Sequence, residues 1–204
     1  MTTPSRALLF AIYASAVLVG GVLMGFEMLG SRYLFPYFGG GIGTWASLIS
    51  TVLCALAIGY FAGSAIVAQN PSQKTIGLFI LIAAIYLACV PASADGVMEK
   101  ILDRLGDGPS ATLTASTALL LVPLSLLGTF SPIAVSILTR SAEDAGRVAG
   151  LVYGVSTLGN VVGTLFTTFT LIPTVGSRAI TYIFAVLLAG CAGVLFLPFG
   201  RRAC

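Results

Sequence analysis

Charged residues are so sparse along this chain that its apolar pattern is read most directly from the gaps between them. Six stretches carry no Asp, Glu, Lys or Arg: Ala7 to Phe26, Tyr33 to Gln73, Thr75 to Ala94, Gly108 to Thr139, Val148 to Ser177 and Ala179 to Gly200. Each can hold the roughly 20 apolar residues that cross a ~30 Å hydrocarbon core as a helix, which satisfies its own backbone hydrogen bonds in lipid. The pattern predicts an all-α membrane protein with six transmembrane helices, near Ala7–Leu29, Thr44–Ala68, Thr75–Val90, Ala111–Thr139, Val148–Ile172 and Ala179–Leu197. Within the second gap, Tyr33 to Gly41 contains Pro36 and the run Gly39-Gly40-Gly41, so it reads as a loop leading into the second span.

Pro91 to Pro109 is the one long connection, and its pattern is amphipathic. Val97, Ile101 and Leu105 recur at helical spacing beside Met98 and Leu102, while Glu99, Lys100, Asp103 and Arg104 take the other side. With Asp95 near the N-cap and Gly106 near the stop, the segment predicts a short helix over about 95–106, lying along the extracytoplasmic face as a lid or a docking element.

The chain also echoes itself at a spacing near 100 residues. Gly59 and Gly63 in the second span are matched by Gly159 and Gly163 in the fifth, Pro71 with Lys74 by Pro173 with Arg178, and Cys89 by Cys191. Three spans repeat as three spans, over about 7–92 and 111–200, in a single membrane domain covering 1–204. Because three is odd, the second copy enters from the opposite side, as in an inverted-topology repeat. The four glycines are expected at close helix–helix contacts, since a missing side chain lets two backbones approach.

Composition agrees with lipid as the solvent. Of 204 residues, 57% are hydrophobic and 8% charged, and mean hydropathy is +1.04; a soluble domain carries about 25% charged residues. A net charge of +3 with scattered basic residues excludes nucleic acid as a main partner. With no His and only seven carboxylates, most catalytic and metal constellations are missing, so no catalytic residue, metal or cofactor is expected. Cys54, Cys89, Cys191 and Cys204 form no CxxC pair and read as inert thiols. Arg6 ahead of an apolar stretch with Ala14-Ser15-Ala16 resembles a signal peptide, but the run continues to Phe26, so the first helix is read as uncleaved. With the N-terminus inside, Arg6, Lys74, Arg140, Arg147, Arg201 and Arg202 are cytoplasmic and Arg32, Lys100, Arg104 and Arg178 are outside, which favours both termini inside.

Glu27 through Gly39, then Gly43-Thr44-Trp45-Ala46-Ser47 and Gly59 to Gly63, resemble the opening of the membrane region of the bacterial fused major-facilitator/spermidine-synthase-like family. The second half agrees through Ser131-Pro132, Arg140, Gly146 to Gly150, Tyr153, Ser156 to Asn160, Gly163-Thr164, Ile172-Pro173 and Gly176, so that the likeness runs from about Gly20 to Arg178. The resemblance implies a multi-pass protein of the bacterial inner membrane. Fused members continue into a soluble aminopropyltransferase domain where this sequence reaches Cys204, and no Gly-rich nucleotide loop is present, so the expected role is a non-catalytic membrane module. It would be a small transporter-like protein or the membrane partner of a separately encoded synthase-like protein. The alternative is an accessory subunit packed against a larger membrane complex, and a protein partner or homodimer is expected in either case.

Glu27 is the one ionisable residue set well within an apolar run, and a carboxylate at membrane depth needs a cation. If the ligand is a cationic amine, Glu27 would take the ammonium, with Arg32, Tyr33, Tyr37 and Trp45 around it, the aromatic faces adding cation–π contacts of about 0.5–2 kcal/mol. The simpler reading pairs Glu27 with Arg32 and leaves the aromatic residues as an interfacial belt. Asn160, halfway along the fifth span, is the second polar candidate, either lining a cavity or tying two helices together.

Overall fold

The computed structural model describes residues 5–69 and 71–198, so Asn70, Gly200, Arg201, Arg202 and Cys204 lie outside the described residues. The helices are α1 (Arg6–Phe38), α2 (Ile42–Val67), α3 (Gln73–Leu105), α4 (Pro109–Gly128), α5 (Phe130–Leu138), α6 (Ala142–Phe166), α7 (Ile172–Thr174) and α8 (Ser177–Phe196). A π-helical turn, Thr167–Leu171, joins α6 to α7. Among the described residues, six helical stretches are long and apolar enough to cross a membrane: α1, α2, α3, the α4–α5 pair (Pro109–Leu138), the α6–α7 run (Ala142–Thr174) and α8. The end of the bundle where α1 starts is called here the near side, and the end with the Gly39–Gly41 turn the far side.

Two expectations about helix ends need correction. Tyr33 to Phe38 is not a loop: α1 runs on through Pro36, and only Gly39–Gly41 breaks the chain, with Gly39 at φ 71° as the C-cap. Pro36 falls in the last turn, where few hydrogen bonds remain to be lost, and a positive φ is what only glycine adopts without strain. The amphipathic segment 95–106 is helical, but it is the final three turns of α3 and not a separate helix. Ile76, Ile80, Ala83, Leu87, Val90, Ala94 and Met98 form one buried stripe that passes Pro91 without interruption. Continuous packing along that stripe offsets the bond that proline removes.

Long-range packing joins the first half of the chain to the second. α1 lies along α6, α2 along α4 and α5, and α3 along α8, with α3 also against α4 and α1 against α8. Exchanging the first three spans for the last three converts the α1–α6 pair into the α4–α2 pair and returns α3–α8 to itself. Glycine makes both exchanged seams possible. A Cβ on Gly159 would fall on the Val17 carbonyl, and one on Gly163 on the Gly21 carbonyl; a Cβ on Gly59 would fall on the Ser125 carbonyl, and one on Gly63 would stand 2.5 Å from Pro132 Cγ. Hydrogen bonds between helices fix α8 on α1. The Thr181 hydroxyl donates to the Ser177 carbonyl, so the Tyr33 hydroxyl donates to Thr181 Oγ1 at 2.9 Å. Cys191 Sγ donates to Ser15 Oγ at 3.2 Å, and Arg178 pairs with Asp95 of α3 at the far side. Phe26, Leu29, Leu34, Leu48, Leu120 and Leu124 are among the large fully buried side chains, and Leu48 of α2 and Leu120 of α4 meet α1 at Gly30.

Candidate functional site

Gly20, Leu23, Glu27 and Ser31 follow one another at helical spacing, so they form a single stripe along α1. Gly20 and Leu23 line a near-side cavity of about 30 Å³ with Leu56 and Tyr60 of α2, Ser131 of α5 and Asn160 of α6. That is room for a water or two. Ser31 lines a far-side cavity of about 250 Å³ with Met28, Arg32, Trp45 and Thr168. Glu27 borders neither. It stands on the stripe between them, 4% exposed, and its Oε2 has no hydrogen-bond partner.

Two threonine hydroxyls without partners fall near the level of Glu27. A Cβ on Gly30 would sit 3.0 Å from Leu48 Cδ2, and this antiparallel register brings Thr51 of α2 to the level of Glu27. In the π-helical turn that follows α6, Thr167 faces Gly25 of α1, which puts Thr168 one residue further along the same parallel register. Glu27 Oε2, Thr51 Oγ1, Asn160 Oδ1 and Thr168 Oγ1 are the buried side-chain oxygens that lack a partner among the described residues. The π-helical turn shifts the helical phase at Thr168, and such bulges recur where a helix wall serves a ligand. Toward the near side, Tyr60 of α2 meets Tyr153 of α6 edge to face, ring centres 6.2 Å apart, and closes the gap between the two helices.

The residues nominated from sequence divide between two regions. Glu27, Arg32, Trp45 and Asn160 lie along the gap bounded by α1, α2 and α6, with Trp45 and Arg32 at the far-side cavity and Asn160 at the near-side one. Tyr33 turns the other way and is committed to Thr181. Tyr37 lines a separate far-side cavity of about 360 Å³ together with Arg32, Tyr33, Asp95 and Arg178. Arg32 forms no ion pair with Glu27; five residues separate them, which is about 140° around a helix, and the ion pair among the described residues is Arg178–Asp95. Gly59, Gly63, Gly159 and Gly163 occupy the two helix seams.

Sequence reading did not nominate Ser31, Thr51, Thr168, Tyr60 or Tyr153 as site residues. The first was visible as the fourth member of the Gly20 stripe, and the two threonines as hydroxyls inside apolar runs. The tyrosine pair joins distant spans and leaves no mark in local sequence.

No family model matches the chain, and neither a curated protein nor a solved structure matches it. The chemistry of the site is therefore argued from its own atoms. An ionised carboxylate without a partner, out of contact with water, is costly, and a cation or a proton relieves that cost. The gap at Glu27 offers a small polar pocket on one side, a larger apolar and aromatic one on the other, and a single carboxyl group between them.

Proposed function

We propose that this chain is a non-catalytic, multi-pass module of the bacterial inner membrane, built as two inverted three-helix halves, that works as a small transporter-like protein for a cationic amine. The observation that carries this reading is Glu27, a buried carboxylate whose Oε2 has no partner, set on the α1 stripe between a small cavity at Gly20 and Leu23 and a larger one at the far side. Transporters place ion and substrate sites near mid-membrane, between repeats. The inverted arrangement is supported by the exchange of α1–α6 for α4–α2 and by the matching glycine seams at Gly59, Gly63, Gly159 and Gly163. The bias of Lys and Arg supports cytoplasmic termini, and the last turns of α3 then form an extracytoplasmic extension of that span. The likeness of Glu27 to Gly39 and of the later helices to the membrane region of fused spermidine-synthase-like proteins supports an amine as cargo.

A second reading, membrane partner of a separately encoded synthase-like protein or subunit of a larger complex, is favoured by one feature of α6. Gly146, Gly150 and Gly154 form a ridge with nothing within 4 Å, and only 11% of the most apolar stretch of that span is buried. Small residues at this spacing suit contact with another helix.

Equilibrium binding of a panel of labelled cationic amines to the chain in lipid nanodiscs separates the readings. The transporter-like reading expects binding that falls at least tenfold in Glu27→Gln. No binding of any amine, with recovery from native membranes in fixed stoichiometry with another membrane protein, replaces it with the partner reading.

A further inference from the structure

Resting on the reading of Glu27 as a cation site, the geometry points to a narrower ligand and to its driving force. We infer that the site takes a cation of single positive charge with an apolar body, and takes it in exchange for one proton held by Glu27.

The charge limit follows from counting. One carboxylate within the apolar gap neutralises one positive charge, and any further ammonium of a polyamine would be left in the far-side cavity. That cavity already carries Arg32 on its wall, which repels a second cation. Its other large side chains are Met28, Phe35, Trp45 and Ile172, three of them apolar and one an indole face. They reward a hydrophobic or aromatic body and a cation–π contact, and give little to a hydrated polycation.

The exchange follows from the absence, among the described residues, of any counter-charge paired with Glu27. Arg32 projects from another side of α1, toward the far-side rim. From α2 and α6 the titratable groups on this gap are Tyr60 and Tyr153, which occupy each other at the near side, while Cys54 of α2 is exposed away from it. α4, α5 and the π-helical turn carry no titratable side chain. On α3 and α8 the charged residues lie at the helix ends, Asp95 and Arg178 with each other; Tyr86 is bonded to the Ala118 carbonyl, Cys191 to Ser15, and Tyr182 and Cys89 are exposed. With no cation paired with Glu27 among the described residues, the empty site keeps a proton on the carboxyl group. When the ligand arrives, the O–H bond breaks, the proton leaves to solvent, and the carboxylate faces the ligand cation. One positive charge replaces another, so the gap holds no net charge in either state, and an opposing proton gradient drives the ligand across.

The test uses phenyltrimethylammonium, a permanent monocation with no proton of its own, and spermidine as the polycation, each titrated into the purified full chain in weakly buffered detergent. Expected are about one proton released per phenyltrimethylammonium bound, affinity falling about tenfold per unit of pH on the acid side of the exchange, spermidine binding at least tenfold weaker, and no proton release from Glu27→Gln. Proton release is counted on the wild type alone, so it decides even if that variant misfolds. Phenyltrimethylammonium binding without proton release overturns the exchange. Spermidine binding preferred and dependent on Glu27 overturns the single-charge ligand while leaving the cation site standing. Failure of both probes to bind removes the cation site itself.

Discussion

Two chemically identical substitutions on one helix, Gly163→Ala and Gly150→Ala, give opposite results if the α1–α6 seam is as described. At Gly163 the new methyl group overlaps the Gly21 carbonyl oxygen and comes within 2.6 Å of its carbon. Unbonded carbons rest at about 3.5–4.0 Å, so the two helices must part by about 1 Å, and neither obstacle is a side chain that can rotate away. A gap of that size forfeits a quarter to a half of each dispersion contact along the seam, which places the change at the upper end of overpacking costs, about 3 kcal/mol. Alanine returns about 1 kcal/mol of helix propensity, leaving a net loss of about 2 kcal/mol. At Gly150 nothing lies within 4 Å, so only the propensity gain remains. The two variants should differ by about 3 kcal/mol, roughly a hundredfold in the folding equilibrium. Reversible unfolding in mixed micelles, followed by helical circular dichroism, measures it. Equal stability of the two variants would refute the close backbone contact.

The opposite seam should respond in the same way: Gly63→Ala, whose methyl group meets Pro132 Cγ at 2.5 Å and the Thr129 carbonyl at 3.0 Å, is expected to cost about 1–3 kcal/mol in the same unfolding assay. Tyr33→Phe removes the bond to Thr181 but leaves Thr181 bonded to Ser177, so it should cost about 1 kcal/mol and leave cation binding unchanged, because Tyr33 faces away from Glu27. Reporter fusions at Gln69 and Ala142 should report one side of the membrane and those at Gly40 and Asp103 the other, with the first pair cytoplasmic; a mixed result within either pair breaks the six-span order.

The spans were legible because lipid leaves so little choice: charge-free runs of this length fold as helices whatever else they contain. Where those helices end was less so. Pro36 and Pro91 are local stop signals, yet both lie inside helices, since the buried stripe from Ile76 to Met98 and the short remaining turn after Pro36 outweigh one lost hydrogen bond. Glu27 stood out by its isolation in an apolar run, and helical angles alone separate it from Arg32 and Tyr33. Its surroundings did not, because Thr51 and Thr168 reach its level only through registers set by Leu48 on Gly30 and Thr167 on Gly25. The glycines announced close contacts, but their partners Val17, Gly21, Ser125 and Pro132 are ordinary residues in sequence.

The cross-pairing of spans has a consequence for how this protein is made. Gly21 finds its partner Gly163 only after about 140 more residues have left the ribosome; at about 5–20 residues per second that is roughly 7–30 s. During that interval the first three helices sit in the bilayer with their glycine faces and Glu27 uncovered by α6. Lipid, the insertion machinery or a neighbouring protein must shield them until the last three helices arrive, so the vulnerable stage of this chain's life is its birth.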